Sequence, residues 1–311
     1  MLIALNSIVL VIMALGFGIY FSRLNWNFIL RRVDRATNIC LYVLLVIMGV
    51  SVGQVEGIFQ KLTVVGLNAL LVAIATSLGT AAMLGLLLLQ RGGGVHHNRK
   101  EDDDSRLNRL LNYAKDPVQL LGLVGLGFLL SYFNFAPEFN YDALIGMLLY
   151  LLIFLIGVKL SRGSFRIVDI LFDRRGLVIA TLTVIGTYLG LLVLAWFMDM
   201  PATSMLVLGS GFGWYTLSGI MLTQLGDPLL GSTAFFADVF REILALLLIP
   251  ILGRSGRTQI AIGVCGATCM DVTLPVIERH CAQDQVSTAF ASGAIITFIV
   301  PFLIPASYFL R

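Results

Sequence analysis

Runs of about twenty apolar residues recur along the whole chain, and they limit what it can fold into. A helix needs about 20 apolar residues to cross the hydrocarbon core of a bilayer. Of the 311 residues, 58% are hydrophobic and 13% are charged, against roughly 45–50% and about 25% in soluble domains. The pattern therefore predicts an all-α polytopic membrane protein embedded in the lipid bilayer, with about 8–10 transmembrane helices.

Ten segments are apolar over enough residues to be candidate spans, and some contain helix-breaking residues that predict discontinuous helices. A polar stretch at 91–117 divides a first helical block, 1–90, from a second, 118–311. We expect this stretch to be a cytoplasmic loop with a flexible glycine-rich start and a short amphipathic helix from Asp104. The whole chain, 1–311, is expected to form a single transmembrane transporter domain. The candidate spans are 2–21, 36–55, 62–89, 118–135, 143–158, 176–197, 202–222, 233–252, 260–277 and 286–309.

Lysine and arginine residues in short loops mark the cytoplasmic side of a membrane protein. The loops after the first, third and fifth segments are rich in these residues, and the loops after the second, fourth and sixth are poor in them. This asymmetry predicts that the N-terminus lies on the outer side.

The second half of the chain allows two arrangements. If all ten segments cross, the basic loop GRSGR at 253–257 falls outside, against the charge rule. Ten crossings would suit two inverted five-helix repeats, a common plan among transporters. If 202–222 and 260–277 instead turn back within the membrane, the loop falls inside and eight full spans remain. Both arrangements place the C-terminus outside as well.

The stretch GSGFGWYTLSG, at 209–219, is a polar and glycine-rich motif inside an apolar segment. Each glycine weakens a helix by about 1 kcal/mol relative to alanine. One interpretation is close helix packing through small residues. The other is an unwound stretch, because irregular backbone at membrane depth is tolerated where it borders a polar cavity. The residues lining that cavity would be Ser210, Gly211, Gly213, Trp214, Tyr215, Thr216 and Ser218.

Three ionisable residues share one face of the eighth segment, since Asp238, Arg241 and Glu242 are spaced i, i+3 and i+4. A long apolar run follows Glu242 and places it well inside the span. Arg241 could form a purely structural pair with an acid, and Asp238 could be no more than a first-turn residue. Ionisable groups inside spans are rare, however, and usually mark the path of an ion or substrate.

A third acid in an apolar setting, Asp271, lies in CGATCMDVTLPVIER at 265–279. Pro275 lacks a backbone donor and clashes with the carbonyl four residues earlier, which belongs to Asp271. The acid therefore lies where helical hydrogen bonding should break, and we expect Thr268 and Pro275 to line the cavity beside it. Asp271 could also cap the half-helix that follows. The two roles are compatible, because the start of a half-helix inside the membrane is itself a binding site.

Other chemistries find little support in the sequence. Cys265 and Cys269 have helical spacing, but no histidine or further cysteine completes a zinc set, so neither a metal nor another cofactor is expected. No nucleophile–base arrangement indicates an enzyme. The slight net charge of +3 indicates basic loops rather than a nucleic-acid partner. A homo-oligomer is compatible with this plan.

The C-terminal half resembles the lysine exporter (LysO) family of bacterial inner-membrane proteins. The resemblance rests on GSGFGWYTLSGIMLT, GSTAFFADVFREILALLLIP and GVCGATCMDVTLPVIER, in that order, and on DRRG at 173–176. It implies export of L-lysine, and of its toxic analogue thialysine, across the cytoplasmic membrane, with both termini periplasmic. It also implies that two acids inside the membrane are essential, and the motifs place them at Glu242 and Asp271.

Proton exchange is the simplest mechanism for such an exporter. A carboxylate in a dehydrated site can hold a proton or bind an ammonium group, but not both at once. We therefore expect Glu242 and Asp271 to alternate between them, while Arg241 or the amides near Gly211 meet the substrate carboxylate. Two alternatives stay open. One is a sodium- or proton-coupled carrier of another cationic or organic solute, and the more distant one is a membrane enzyme or receptor.

Overall fold

The structure is a computed structural model, and it describes residues 32–55, 58–88, 106–137, 141–162, 173–198 and 200–311, with a few positions between 10 and 21. Within these ranges every regular element is a helix. Most of the first predicted span, 2–21, and the glycine-rich start of the predicted loop, 91–105, lie outside the described residues.

Eleven α-helices follow one another in the described ranges, with two short 3₁₀ helices at Gly266–Met270 and Gln283–Gln285. The α-helices are α1 (Val33–Gly53), α2 (Ile58–Leu88), α3 (Arg106–Tyr132), α4 (Tyr141–Arg162), α5 (Arg174–Phe197), α6 (Ala202–Gly209), α7 (Tyr215–Gln224), α8 (Pro228–Arg254), α9 (Thr258–Cys265), α10 (Leu274–His280) and α11 (Val286–Phe309).

Four described helices are long and apolar enough to cross a membrane: they lie at Arg35–Gly53, Thr63–Leu86, Arg174–Phe197 and Val286–Phe309. Shorter apolar stretches occur at Gln119–Tyr132 and Ala143–Val158. The all-α polytopic prediction is therefore confirmed. One detail differs, because the predicted amphipathic helix from Asp104 and the fourth span form one continuous helix, α3.

Glycine allows the long helices to pack closely. A Cβ atom added to Gly186 of α5 would lie 2.8 Å from the carbonyl oxygen of Gly79 and from Cα of Thr80, both on α2. Small residues of this kind let helix backbones approach each other in membranes, where van der Waals contact drives helix association.

The directions of three helices define two sides of the protein. Near the start of α5, a Cβ added to Gly176 would lie 2.8 Å from Cβ of Ala291 in α11, and further along, Tyr188 meets Ser307 of α11. Helices α5 and α11 are therefore parallel. Arg311 pairs with Asp227, the N-cap of α8, so α8 begins where α11 ends. We call this the Arg311 side, and the side on which α8 ends the Arg254 side.

The first re-entrant hairpin consists of α6, residues 210–214 and α7. Helix α6 starts at the Arg311 side and runs back along α5, since a Cβ on Gly209 would lie 3.3 Å from the Thr187 side chain. Helix α7 then returns, because a Cβ on Gly231, near the start of α8, would lie 2.6 Å from the carbonyl oxygen of Gly219. Its last turn ends at the Arg311 side, where the Tyr308 hydroxyl donates to the carbonyl of Leu225 at 3.1 Å.

The second re-entrant hairpin consists of α9, residues 266–273 and α10, and it enters from the opposite side. Helix α9 starts just after α8 ends. Helix α10 returns to the same place, because a Cβ on Gly253 of α8 would overlap the carbonyl oxygen of His280 and lie 3.1 Å from Sγ of Cys281.

Segments 202–222 and 260–277 therefore turn back instead of crossing. Of the two arrangements open from the sequence, the described residues fit the one in which these two segments are re-entrant, and the first predicted span, 2–21, lies mostly outside the described residues. GRSGR lies on the same side as Arg174 and Arg175, as the charge rule requires. Within the described residues, 202–222 and 260–277 therefore do not supply full crossings to a repeat of five spans. The inverted relation holds instead between two units of a hairpin followed by a span, α6–α8 and α9–α11.

Candidate functional site

The tips of the two hairpins meet in the interior. The amide of Ala267 donates to the carbonyl oxygen of Phe212 at 3.0 Å. Phe212 and Gly213 in the first tip and Gly266 in the second have φ angles of 49°, 93° and 63°, a region that favours glycine. A Cβ on Gly266 would overlap the Phe212 oxygen. The glycines of both motifs are therefore needed where the tips touch.

Asp238 fastens the first tip to α8. One of its carboxylate oxygens accepts from the Gly213 amide at 2.8 Å, and the other accepts from the Ser218 hydroxyl at 2.7 Å. The side chain is only 3% exposed. Because the N-terminal end of a helix carries partial positive charge, a carboxylate beside the start of α7 is also favourably placed.

Arg241 fastens the second hairpin to α8. Its guanidinium donates to the carbonyl oxygens of Val264 at 3.1 Å and Gly263 at 3.4 Å, in the last turn of α9. It also donates to the hydroxyls of Thr187 on α5 and Thr80 on α2. The last carbonyls of a helix have no partner within it, and a nearby cation also complements the partial negative charge of that end.

Glu242 lines a cavity of about 570 Å³ between the tips and the neighbouring spans. Gly213, Trp214, Tyr215 and Thr216 of the first motif line it as well, as do Thr268 and Asp271 of the second. The volume lies within the roughly 300–1,000 Å³ of typical small-molecule sites. Two carboxylates far apart in sequence are thus brought to a single cavity.

The two acids differ in depth. Glu242 is 1% exposed, whereas Asp271 on the second tip is exposed. The predicted break in the ninth segment is present: α9 ends at Cys265, a 3₁₀ helix follows, and α10 begins at Leu274. Asp271 is not the cap of α10, since Thr273 occupies the N-cap position and Pro275 belongs to the first turn. The Asp271 carboxylate instead accepts from the amide of Val272 at 2.6 Å.

The structure places several of the predicted lining residues away from the cavity. The Ser210 hydroxyl donates to the carbonyl of Leu206 and lies 2.9 Å from the hydroxyl of Ser307, because Ser210 ends α6 on the side facing α11. Gly211 is packed against the Asp238 carboxylate, with no room for a Cβ. Ser218, Asp238, Arg241 and Pro275 are likewise not among the residues that line the cavity.

The opposite wall of the cavity comes from the first helical block, and sequence reasoning missed it. Its polar members are Thr37, Asn38 and Tyr42 of α1 and Gln119 of α3. They lie in helices without a distinctive motif, so only the polarity of single positions in an apolar segment could have indicated them. Asn38 and Gln119 are exposed.

The cavity opens towards the Arg254 side. Its α1 residues lie in the first turns of that helix, and Phe290 lies near the start of α11, on the same side. Towards the Arg311 side the interior is filled, for example by Met48 of α1 and Phe235 of α8, both fully buried against Gly219.

The cysteines are free and buried. Cys265 donates to the carbonyl of Ala261, and Cys269 donates to those of Gly266 and Ala289. Within the part of the chain that the structure describes, no three His, Cys, Asp or Glu side chains form a group that could hold a metal ion. The thiols of Cys265 and Cys269 are thus packed into and beside the second tip.

Comparisons with known proteins match most of the chain to the lysine exporter LysO family. The family model for "Lysine exporter LysO" matches residues 12–92 and 121–308. The chain is 33% identical over 281 residues to "Lysine exporter LysO" of Escherichia coli (strain K12), which covers 88% of this chain and 90% of that protein. It is 36% identical over 153 residues to "Putative lysine exporter" of Haemophilus influenzae, which covers 49% of this chain and 78% of that protein. No solved structure matches the chain.

Proposed function

The chain belongs to the lysine exporter LysO family, a family of multi-pass membrane transporters and not of enzymes, and on this premise we propose that it exports L-lysine across the bacterial cytoplasmic membrane in exchange for protons. Thialysine, which has the same charges, is a second substrate. In this proposal the Arg254 side is cytoplasmic, and both termini are periplasmic.

One observation carries the proposal: Glu242 of α8 and Asp271 of the second tip line one cavity at the point where two half-helix hairpins meet. Discontinuous helices near the middle of the bilayer form the substrate and ion sites of many transporters. Acids inside a membrane are costly and usually mark such a path. The cavity is also large enough for an amino acid.

Lysine carries two ammonium groups and one carboxylate, and the cavity offers a partner of opposite charge for each. The exposed Asp271 meets one ammonium group at the cytoplasmic entrance, and the buried Glu242 receives the other. The α-carboxylate lies at the start of α7, where Tyr215 and Thr216 line the cavity, because helix N-termini attract anions. Arg241 does not serve as the carboxylate partner, since its guanidinium is occupied by carbonyl and hydroxyl groups.

Charge movement favours proton exchange over export alone. Moving one positive charge out of a cell against an inside-negative potential costs about 2.3 kcal/mol per 100 mV. Exchange of one lysine for one proton moves no net charge, so the pH gradient alone can drive it. The carboxyl pair of Glu242 and Asp271 releases one proton to the cytoplasm when it binds lysine, and it takes up one proton again on the periplasmic side.

The test uses purified protein in liposomes, with labelled lysine and an imposed pH gradient. The wild-type protein should move lysine against the direction of proton flow, with unlabelled thialysine competing. Glu242→Gln and Asp271→Asn should each abolish coupled movement. Glu278→Gln, at an exposed position in the last turn of α10, should leave it unchanged.

Two results would contradict the proposal. If Asp271→Asn retained full proton-coupled lysine movement, that acid would have no role in coupling. If a sodium gradient drove lysine movement and a pH gradient did not, the coupling ion would be sodium.

A further inference from the structure

We propose that Asp238 and Arg241 are positioning residues, which fix the two hairpin tips to α8 on either side of Glu242 and contact neither lysine nor the transported proton. The inference rests on the proposed function in one respect only, which is that the transport assay uses lysine as its solute. It differs from the expectation drawn from the sequence, in which all three charges of α8 belonged to the substrate path.

The hydrogen bonds of Asp238 go to the first hairpin. Both carboxylate oxygens accept hydrogen bonds, one from the Gly213 amide and one from the Ser218 hydroxyl. Gly211 leaves no space for a different arrangement, since a Cβ there would overlap the carboxylate and lie 2.7 Å from Cβ of Ser218. Asp238 thereby joins α8, the first tip and the first turn of α7 into one unit.

The hydrogen bonds of Arg241 go to the second hairpin and to the spans behind it. Its planar group reaches two carbonyls at the end of α9 and two threonine hydroxyls, Thr80 and Thr187, which lie 3.1 Å from each other. A lysine has no planar fork of donors, so it cannot serve these acceptors together. Arg241 is also not among the residues that line the cavity.

The position of the cavity depends on the hydrogen bonds of both Asp238 and Arg241. Gly213 to Thr216 form one wall and Ala267 to Val272 form another, and Glu242 lies between them. The first tip is irregular backbone and the second contains only one short 3₁₀ helix, so side-chain hydrogen bonds help to hold both tips in place. Loss of the Asp238 hydrogen bonds would release the wall at Gly213 to Thr216. Loss of the Arg241 hydrogen bonds would release the wall at Ala267 to Val272.

The test measures tip position separately from transport. The reporters are the native buried thiols of Cys265 and Cys269, in a background with Cys40→Ser and Cys281→Ser that still transports lysine. Arg241→Met should raise the maleimide labelling rate of these thiols by about tenfold or more, because the end of α9 opens locally. Arg254→Met, in the last turn of the same helix, is the matched control and should leave labelling unchanged.

Transport kinetics distinguish positioning from direct contact. For Asp238→Asn and Arg241→Met, at equal protein in the liposomes, we expect the maximal rate to fall about tenfold or more while KM for lysine changes less than about threefold. The midpoint of the pH profile should stay where it is in the wild type. Arg241→Lys should restore little, and Asp227→Asn, the matched exchange at the N-cap of α8, should behave like the wild type.

A shifted pH midpoint, or a KM increase above about tenfold with unchanged thiol labelling, would overturn the proposal, since the residue would then touch the proton or lysine. Labelling rates do not require activity. They therefore still test the positioning role if the wild type fails to move lysine, a result that refutes only the proposed function.

If a charge variant fails to fold, Ser218→Ala and Thr187→Val each remove one partner. These should lower the maximal rate by about two- to fivefold without moving the pH midpoint, and no change in either variant would also overturn the proposal.

Discussion

Gly266→Ala is expected to weaken transport by separating the two hairpin tips. Gly266 has φ of 63° and ψ of −125°, and a Cβ there would overlap the carbonyl oxygen of Phe212. The substitution therefore acts twice: it strains the backbone of the second tip, and it pushes away the oxygen that accepts from the Ala267 amide.

The two effects can be separated by a glycine that lacks the clash. Gly226, between α7 and α8, has φ of 96° and open space around its Cβ position. Backbone strain should cost about 1–3 kcal/mol in either variant. Only Gly266→Ala also loses a buried hydrogen bond, at about 1–3 kcal/mol. The difference between the variants corresponds to about a 5- to 150-fold smaller population with both tips engaged.

The assay is the initial rate of lysine exchange in liposomes, with the thermal-unfolding midpoint measured in parallel. Gly226→Ala should lower the midpoint and leave the rate per folded molecule close to wild type. Gly266→Ala should lower both. Equal rates per folded molecule in the two variants would refute the reasoning, because contact between the tips would then be irrelevant to transport.

Three further predictions concern packing, a surface ion pair and access to the cavity. Gly186→Ala should lower the thermal-unfolding midpoint because α2 leaves no room for a Cβ, whereas Gly66→Ala, with open space around it, should maintain or raise it. Arg311→Ala removes a partly exposed ion pair with the N-cap of α8, so it should cost at most about 1 kcal/mol of stability, and less at high salt. Asn38→Cys should react with a membrane-impermeant maleimide in only one orientation of membrane vesicles and be protected by lysine. Ile39→Cys, exposed but outside the cavity lining, should show no such protection.

The long spans could be predicted from the sequence because apolar runs of that length have few alternatives in a membrane. The predicted segment 286–309 has the same bounds as α11, and 176–197 differs from α5 only at its start. The segments 202–222 and 260–277 could not be resolved in this way. A hairpin and a single span contain similar numbers of apolar residues, so composition does not separate them. What separates them is contact between distant residues, such as that between Phe212 and Ala267.

The functional site could be predicted only in part, because helical spacing gives a shared face but not the direction of each side chain within it. At about 100° per residue, Arg241 lies roughly 60° to one side of Asp238, and Glu242 lies roughly 40° to the other. That difference sends the guanidinium towards α9, α2 and α5, and the Glu242 side chain towards the cavity. Three charges that form one patch on a helical wheel are therefore divided between three surroundings. Which surroundings each one meets depends on where the hairpin tips lie, and the tips are placed by residues of α8 themselves. The local pattern identifies the helix and the acids that line the cavity, but only the assembled tips show that Glu242 lines it while Asp238 and Arg241 bind the tips.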